Sequence, residues 1–338
     1  MGHSTYDCID AGTENCPCYL ALTGDCLTCS RLQGKDYCDC MWKGVCIYNE
    51  FQQAGERINN PRKDFKAKIT ARKFYLDDLV VFVLKVGKGF ALKATRPGSC
   101  VFLRAPDEPD FYQFPVSVMW ADPDRGEIHL AVKILSAKTK TLYETGTHLV
   151  VRGVYRNGIQ GIREIRRKFR SGGSSLLISK GIGFAPAVLL ARTLRERGRV
   201  DFIIDKSKIC DELISDYLEL LSRSSKEESE QSSHRGTVHY LSFSEPKQLL
   251  ELEELIETKK ISKESDGSNR YDKVAILASD YYQKVIGEKI RRILPEAALG
   301  FSNNARLCCG EGICGACTKV TEAGETIRLC KCSFNENI

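Results

Sequence analysis

No stretch of this 338-residue chain approaches the run of about 18 apolar residues that a membrane-spanning helix requires. Its longest apolar patches, such as Leu79 to Leu84 and Ser174 to Ile178, have the length of strands, so no membrane span is expected. A basic-then-apolar leader is also missing, because Met1-Gly-His-Ser is followed by Asp7, Asp10 and Glu14. The expected setting is therefore cytoplasmic and reducing. Histidine is scarce: His3, His129, His148, His234 and His239 stand in surface or strand contexts, no Ser-His-acid set is suggested, and no catalytic side chain is assigned. Charge of one sign is not in large excess either, the formal net charge being +6. The basic run Arg163-Glu-Ile-Arg166-Arg167-Lys168-Phe169-Arg170 is short, lacks interleaved aromatics and is joined by no reading-head motif, so no nucleic-acid partner is expected. A solvated hinge or a docking face for an acidic partner explains it as well.

Cysteine, by contrast, is abundant: sixteen residues, set mainly at the two ends. In a reducing compartment this content points to metal ligation rather than disulfides. The C-terminal set, Cys309-Gly-Glu-Gly-Ile-Cys314-Gly-Ala-Cys317 with Cys330 beyond it, has the spacing C-x4-C-x2-C-x12-C. That spacing follows the plant-type [2Fe-2S] pattern of close-set thiolates with a distant fourth. Gly310, Gly312, Gly315 and Ala316 would let backbone N–H groups of such a loop face sulfur. Zinc also accepts four thiolates, but its structural sites more often pair two short knuckles. Cys308 and Cys332 adjoin the set; the phrase Cys-Gly-x-Gly-x-Cys starts at Cys309, which favours Cys309 and Cys330 as ligands.

Residues 1–55 contain Cys8, Cys16, Cys18, Cys26, Cys29, Cys38, Cys40 and Cys46 among turn formers with little periodicity. Such a segment cannot build a core from its own apolar side chains, so metal is expected to hold it. Eight thiolates suit two four-cysteine sites, with one or two [4Fe-4S] clusters as the first expectation. Structural zinc or a redox-inactive knot stand as alternatives, because the spacing is not the bacterial ferredoxin run. Trp42, Tyr37 and Phe51 are expected to pack around these sites.

Between the ends the texture changes twice. For residues 65–165, six runs rich in Val, Ile, Phe and Tyr predict a small barrel or sandwich: Ala67 to Leu76, Leu79 to Val86, Ser99 to Leu103, Phe114 to Trp120, Ile128 to Ile134 and His148 to Val154. For residues 171–298, Ser175-Leu-Leu-Ile-Ser-Lys-Gly181-Ile-Gly183-Phe-Ala-Pro186 reads as strand and glycine turn, followed by a helix at Val188 to Glu196 and a strand at Val200 to Ile204. The pattern resumes with strand Val238 to Phe243, helix Pro246 to Thr258, strand Val274 to Ala278 and helix Tyr282 to Leu294. Ser222 to Arg235 and Lys259 to Arg270 read as exposed polar connectors. The expected fold class is multidomain α+β and α/β: a small antiparallel β-barrel, then a parallel-sheet nucleotide-binding-like domain, with cysteine-rich metal-binding segments at both ends, the second being residues 299–338.

Taken in order, the barrel, the Gly-Ile-Gly-Phe-Ala-Pro turn and the closing cysteine loop resemble the electron-transfer subunit of bacterial dihydroorotate dehydrogenase, within the wider ferredoxin–NAD(P)+ reductase group. The resemblance covers roughly residues 65 to 335. It implies an FAD on the barrel that passes electrons between a nicotinamide coenzyme or a catalytic partner subunit and a [2Fe-2S] cluster held by Cys309, Cys314, Cys317 and Cys330. The family's Arg-Pro-x-Ser flavin phrase corresponds to Phe114-Pro115-Val116-Ser117, which keeps Ser117 and loses a bidentate phosphate donor. Its Gly-x-Gly-Thr phrase corresponds to Ser136-Ala137-Lys138-Thr139; Thr139 keeps a hydroxyl, and Lys138 or Lys140 can supply charge. An ordinary strand-loop-strand with surface lysines is the plain alternative. In the coenzyme turn Gly181, Gly183 and Pro186 match, while Ser179 and Lys180 replace glycines. Asp205 lies about twenty residues past that turn, where an acid can hold a ribose diol. Lys206 and Lys208 pull toward a 2′-phosphate, so NAD against NADP stays open. The family's Cys-Gly-Pro phrase beside the nicotinamide is replaced by Ala278-Ser279-Asp280.

The resemblance has no counterpart for residues 1–55, which suggests a different complex with a longer electron path. The expectation is an iron–sulfur, FAD-containing electron-transfer subunit of a hetero-oligomeric oxidoreductase, with substrate chemistry in a larger catalytic or flavoprotein subunit. The alternative is a structural or regulatory subunit with a degenerate reductase fold, no working nucleotide site and N-terminal zinc.

Overall fold

A computed structural model of the chain describes residues 7–168, 173–224, 236–261, 271–321, 324 and 326–333. His3, Phe169, Arg170, His234 and most of the two expected polar connectors lie outside these residues. Regular structure is sparse at the start: β1 (Asp7–Cys8), α1 (Tyr19–Leu22) and α2 (Ile47–Gln53). The interior of this segment is built partly from sulfur, with Cys8, Cys16 and Cys29 packed among Ala21, Leu32, Ile47 and Phe51. Trp42 lies against Gly12 and Gly44, where a Cβ would fall 2.6 and 2.4 Å from its ring, and its Nε1 donates to the Val45 carbonyl at 2.9 Å. Phe51 and Trp42 thus pack as expected, whereas Tyr37 is exposed.

The barrel is closed in the order β2-β3-β6-β5-β4-β7 by β2 (Phe65–Leu76), β3 (Leu79–Lys85), β4 (Cys100–Arg104), β5 (Phe114–Asp122), β6 (Glu127–Lys133) and β7 (His148–Tyr155), all pairs antiparallel. These are the six runs read from the sequence, and closure removes the edges an open sheet would expose. Val80, Phe82, Leu84, Val101, Leu103, Val118, Leu130, Val132, Leu149 and Val151 fill the interior. β-Branched and aromatic side chains suit this pleated, enclosed surface. The short helices α3 (Lys88–Ala94) and α4 (Ala137–Tyr143) close its ends. α4 starts on a capping box in which Ser136 accepts from the Thr139 amide and Thr139 accepts from the Ser136 amide.

The chain then passes β8 (Ile159–Gln160) and α5 (Ile162–Arg167) into β9 (Ser174–Lys180), α6 (Phe184–Arg195), β10 (Val200–Asp205), α7 (Asp211–Ser224), β11 (Val238–Tyr240), α8 (Pro246–Ile261), β12 (Tyr271–Leu277), α9 (Asp280–Ile293) and β13 (Ala298–Ser302). The sheet order is β11-β10-β9-β12-β13-β8, parallel except for β8 at one edge. β10 and β11 build outward on one side of β9, and β12 and β13 on the other, so the strand order reverses between β9 and β12. A crevice at the carboxyl ends of those two strands is where open α/β sheets bind ligands. The basic run expected as a hinge is α5, with Ile162 and Ile165 buried beneath its arginines. The described residues close with the hairpin β14 (Thr318–Val320) and β15 (Thr326–Arg328) and with β16 (Cys332–Ser333), which pairs antiparallel with β1.

α6 is buried along almost its whole length between barrel and sheet. Beside it, α7 docks on the barrel through Asp216, which accepts from Lys73 at 2.6 Å and from the Tyr75 hydroxyl at 2.5 Å. His129 of β6 meets Tyr217 of α7 at 2.8 Å. Burial lowers the His129 pKa from 6.5 to about 4. The neutral imidazole is the form the fold accepts, so its contribution is complete above the unfolded value and is lost as pH falls from about 6.5 toward 4. We expect thermal unfolding to show a loss of at most about 3 kcal/mol over that window. His129→Asn should flatten that part of the profile; an equally steep profile in the variant would show that other groups set it.

Candidate metal and nucleotide sites

Cys309, Cys314 and Cys317 lie between β13 and β14, and Cys330 lies in the turn between β15 and β16. The loop can fold this tightly because Gly310, Gly312 and Gly315 take φ of +72°, +79° and +73°, a region side chains rarely enter. Two of these glycines also make close approaches: a Cβ on Gly310 would lie 2.6 Å from the Tyr155 ring, and one on Gly312 would lie 3.1 Å from Leu20. The four thiols are brought together. Cys309, Cys314, Cys317 and Cys330 are near enough to shift one another's thiols. The Cys330 thiol beside them lowers those of Cys309 and Cys317, while Cys330 itself is pushed up. Backbone amides reach the sulfurs as well, Glu311 N–H to Cys309 Sγ and Cys330 N–H to Cys317 Sγ, both at 3.3 Å. Cys308 is exposed beside this group, and Cys332 is buried in β16 opposite Cys8.

Among the described residues no group of three or more His, Cys, Asp or Glu side chains that could hold a metal ion is found, so the metal-binding clusters expected at the two cysteine-rich ends are not seen in the structure. A [2Fe-2S] centre takes two thiolates per iron and a [4Fe-4S] centre one, with sulfide completing each iron, so neither asks three side chains to meet on one ion. The donor set, the amide-to-sulfur bonds and the positive-φ glycines of the C-terminal loop fit a [2Fe-2S] centre.

The loop is seated on the barrel by polar contacts that sequence reasoning missed. Arg152 Nη2 donates to the Cys309 carbonyl at 3.1 Å and to Gln113 Oε1 at 2.9 Å, and Gln113 Nε2 donates to the Cys308 carbonyl at 3.2 Å. Beneath the loop lies a sealed group of charges. Lys331, wholly buried, donates to Asp10 at 2.6 Å and to Glu311 at 2.8 Å. Arg62 forks onto Asp10 at 2.7 and 3.1 Å, reaches Glu311 at 3.5 Å and stacks on Tyr155, whose hydroxyl donates to Glu311 at 2.9 Å. Burial alone would raise the Asp10 carboxyl, but Lys331 and Arg62 hold it at about 2. The available signal was local: Glu311 and Lys331 each stand within two residues of an expected ligand, and Asp10 lies between two cysteines.

The N-terminal thiols differ in exposure. Cys8, Cys16 and Cys29 are buried, Cys18, Cys26 and Cys40 are half-buried, and Cys38 and Cys46 are exposed. Cys38 and Cys40 bring their sulfurs to 3.9 Å. One cavity of about 340 Å³ is lined in part by Cys29, Cys38, Cys40 and Cys46, and a smaller one by Cys8, Cys16, Cys18 and Cys26.

At the nucleotide positions many of the expected groups already have partners. Ser117 is half-buried on β5, where Phe114 offers no donor. Lys138 Nζ donates to the carbonyls of Phe111 and Gln113, and the Thr139 hydroxyl accepts from the Leu135 and Ser136 amides. At the sheet crevice, Lys180 and Asp205 end neighbouring strands directly opposite one another and form a salt bridge. Asp205 further accepts from the Phe243 and Ser207 amides at 2.8 and 3.0 Å, while Lys180 stacks 4.7 Å from the Tyr282 ring. A ribose diol would have to displace the Lys180 bond to reach this carboxylate. Gly181 has φ +54°, and a Cβ on Gly183 would fall 1.9 Å from the Leu277 carbonyl oxygen. Ser179 Oγ, buried beside this turn, has no hydrogen-bond partner among the described residues.

No family model and no curated protein matches the chain. Among solved structures it is similar to an NADH-dependent reduced ferredoxin-NADP oxidoreductase described for flavin-based electron bifurcation, at 17% identity and a TM-score of 0.55, over 78% of this chain and 85% of that one. It is also similar to full-length CYP116B46 from Tepidiphilus thermophilus, at 16% identity and a TM-score of 0.51, over 82% of this chain and 42% of that one. At these identities the likeness is one of fold alone: a β-barrel followed by a nucleotide-binding-like sheet. No helix among the described residues is long and apolar enough to cross a membrane.

Removing Lys331 tests the buried charges. Lys331→Met leaves Asp10 and Glu311 sharing Arg62 alone, and we expect a loss of about 3–5 kcal/mol, with residues 7–60 becoming the first site of limited proteolysis. A variant as stable and protease-resistant as the parent would show that these charges do not hold the segment.

Proposed function

We propose that this chain is an electron-transfer subunit in which Cys309, Cys314, Cys317 and Cys330 hold a [2Fe-2S] centre, the barrel carries a flavin, and a larger oxidoreductase subunit supplies or receives the electrons. The observation that supports this reading is a glycine-bent loop seated on the barrel that carries Cys309, Cys314 and Cys317, with Cys330 in a nearby turn donating its amide to Cys317 Sγ. A bound flavin would exchange electron pairs for single electrons, and the cluster would move them singly. The chain's own contribution is to hold the cluster loop. Arg152 and Gln113 fix its first carbonyls, Glu311 and Cys330 direct amides at sulfur, and Tyr155 and Phe102 cover Gly310 and exclude water. Ser117, Lys138 and Thr139 remain the residues proposed to face the flavin; Lys138 would have to leave the Phe111 and Gln113 carbonyls to meet a phosphate. The particular likeness to the dihydroorotate dehydrogenase subunit rests on the order of barrel, glycine turn and cysteine loop, with the loop its strongest part.

A second reading draws on a specific observation, the closed Lys180–Asp205 pair. In it the coenzyme crevice is degenerate and electrons enter only from the partner subunit. The residues present do not fit a nicotinamide dinucleotide as they stand, because Asp205, the group expected to hold its ribose, is already engaged.

Anaerobic purification followed by iron, sulfide and flavin analysis tests the first reading. Cys314→Ser should abolish the [2Fe-2S] electron paramagnetic resonance signal; an unchanged signal would remove Cys314 from the ligand set. The crevice is tested by Lys180→Gly, which frees Asp205 and restores the turn. We expect NAD(P)H to bind at least about tenfold tighter by fluorescence titration, the equivalent of ~1.4 kcal/mol. Equal affinities would mean that the pair is not what closes the crevice.

A further inference from the structure

We propose that the corner where Arg96, Arg156, Arg163 and Arg166 meet is a docking face for a carboxylate-rich surface of a partner protein. For the partner's role this rests on the reading of the chain as a subunit that exchanges electrons with a larger oxidoreductase. It adds the chemistry by which that partner is held.

Three pieces of chain build the corner. After α3, Arg96-Pro97-Gly98-Ser99 forms a turn in which the Ser99 amide donates to the Arg96 carbonyl at 3.1 Å. Proline at its second position and Gly98 at φ +79° in its third are the type II pattern. This turn packs on the chain that leaves β7: the Gly158 amide donates to the Gly98 carbonyl at 2.9 Å, and a Cβ on Gly98 would lie 3.7 Å from the Arg156 carbonyl oxygen. α5 follows. Burial of Ile162 and Ile165 turns the neighbouring face of this helix outward, and there Arg163 and Arg166, three residues apart, are neighbours. Arg163 donates to the Cys8 carbonyl at 2.7 Å, and Cys8 pairs with Cys332 across β1 and β16. A partner held at this corner therefore sits beside both cysteine-bearing ends.

The corner has more positive charge than the fold uses. Its nearest acid, Glu14, is shared by Lys93 at 3.1 Å and Arg156 at 3.7 Å. Arg96 and Arg166 are exposed, and neither guanidinium has a hydrogen bond or ion pair among the described residues. Partial burial lowers the pKa of Arg156 and of Arg166, and the charge of Arg96 acts on both in the same direction. Like charges held within range of one another repel, and an anionic surface set against them relieves that repulsion. A carboxylate surface fits better than a nucleic-acid backbone. The guanidinium fork matches a carboxylate in a bidentate pair, and arginine is enriched at protein interfaces where lysine is depleted. The described residues of these three pieces have no exposed aromatic side chain on which a base could stack. Leu92, 61% exposed on α3, adds an apolar contact four residues before Arg96.

The test titrates the full chain into a labelled oligoglutamate peptide and, separately, into labelled duplex DNA, by fluorescence anisotropy at physiological ionic strength, where distant charges are screened. The parent chain should bind the peptide. Arg96→Glu with Arg166→Glu should weaken that binding at least about tenfold, whereas Lys66→Glu with Lys68→Glu, the same change of charge at exposed positions of β2, should leave it within about twofold. Arg96→Gln with Arg166→Gln removes the two charges without reversing them; it should weaken binding by an intermediate factor, and it carries the test if the reversed pair does not fold. No binding by the parent, or equal weakening by the arginine and lysine pairs, overturns the proposal. Duplex DNA that binds more tightly than the peptide, with the same dependence on Arg96 and Arg166, overturns it as well. Iron, sulfide and flavin content report separately. A chain without iron that binds the peptide through these arginines keeps the docking face and strikes the electron-transfer reading; a cluster-bearing chain that does not distinguish the two variant pairs strikes the docking face alone.

Discussion

Asp10, Arg62, Glu311 and Lys331 come from four distant points of the chain and close on one another away from water. Two acids and two bases leave the group neutral, and Tyr155 satisfies a further oxygen of Glu311. Such a group adds little net stability compared with apolar packing, because desolvation offsets most of the attraction. Its weight lies in the alternative: with any member withdrawn, the others are left buried and unbalanced. The N-terminal segment, the barrel and the C-terminal cysteine loop therefore have one relative placement in which all four charges are met. The β1–β16 pairing and the Ile9 amide on the Lys331 carbonyl, at 2.8 Å, add direction to that placement. Arg163, from the run first read as a hinge, donates to the Cys8 carbonyl at 2.7 Å and fastens the same corner.

The glycine turn after β9 carries a different lesson. Gly183 cannot be anything larger, since a Cβ would collide with the Leu277 carbonyl, and Gly181 needs its positive φ beside the Ser207 carbonyl. Both requirements come from packing the start of α6 between β9 and β12. A chain could keep these glycines for the fold alone while Lys180 and Asp205 close over the crevice. The matched motif is thus weaker support for a working coenzyme site than the cysteine loop is for a cluster. There too Gly310 and Gly312 are hemmed in by Tyr155 and Leu20; what packing does not require is the approach of the Glu311 and Cys330 amides to the Cys309 and Cys317 sulfurs.

Short runs rich in Val, Ile, Phe and Tyr between turns made the six barrel strands legible; β3 and β6 are buried at nearly every residue, so composition and length carried the signal rather than alternation. α7 was missed although Leu213, Ile214, Tyr217 and Leu221 recur at helical spacing; the run of acids and serines around them masked the period. β8 and β13 are short and gain their identity only from the sheet edge they complete. Lys180 and Asp205 were each noticed, but their meeting depends on the parallel register of β9 with β10, which sequence spacing does not reveal. The buried charge group was illegible for the same reason, its members lying as far apart as residues 10 and 331.

Order in the N-terminal segment and its docking are coupled by this architecture. The segment's interior includes few apolar side chains besides its sulfurs, so bound metal would supply the organisation that burial cannot. The barrel and sheet have large apolar cores of their own and do not share that dependence. Asp10 is held in place only while the N-terminal segment is folded against the loop. Unfolding of the segment would then withdraw Asp10 from Lys331 and disturb the turn that carries Cys330, one residue away. The N-terminal segment and the C-terminal loop are in this way linked through a buried ion pair.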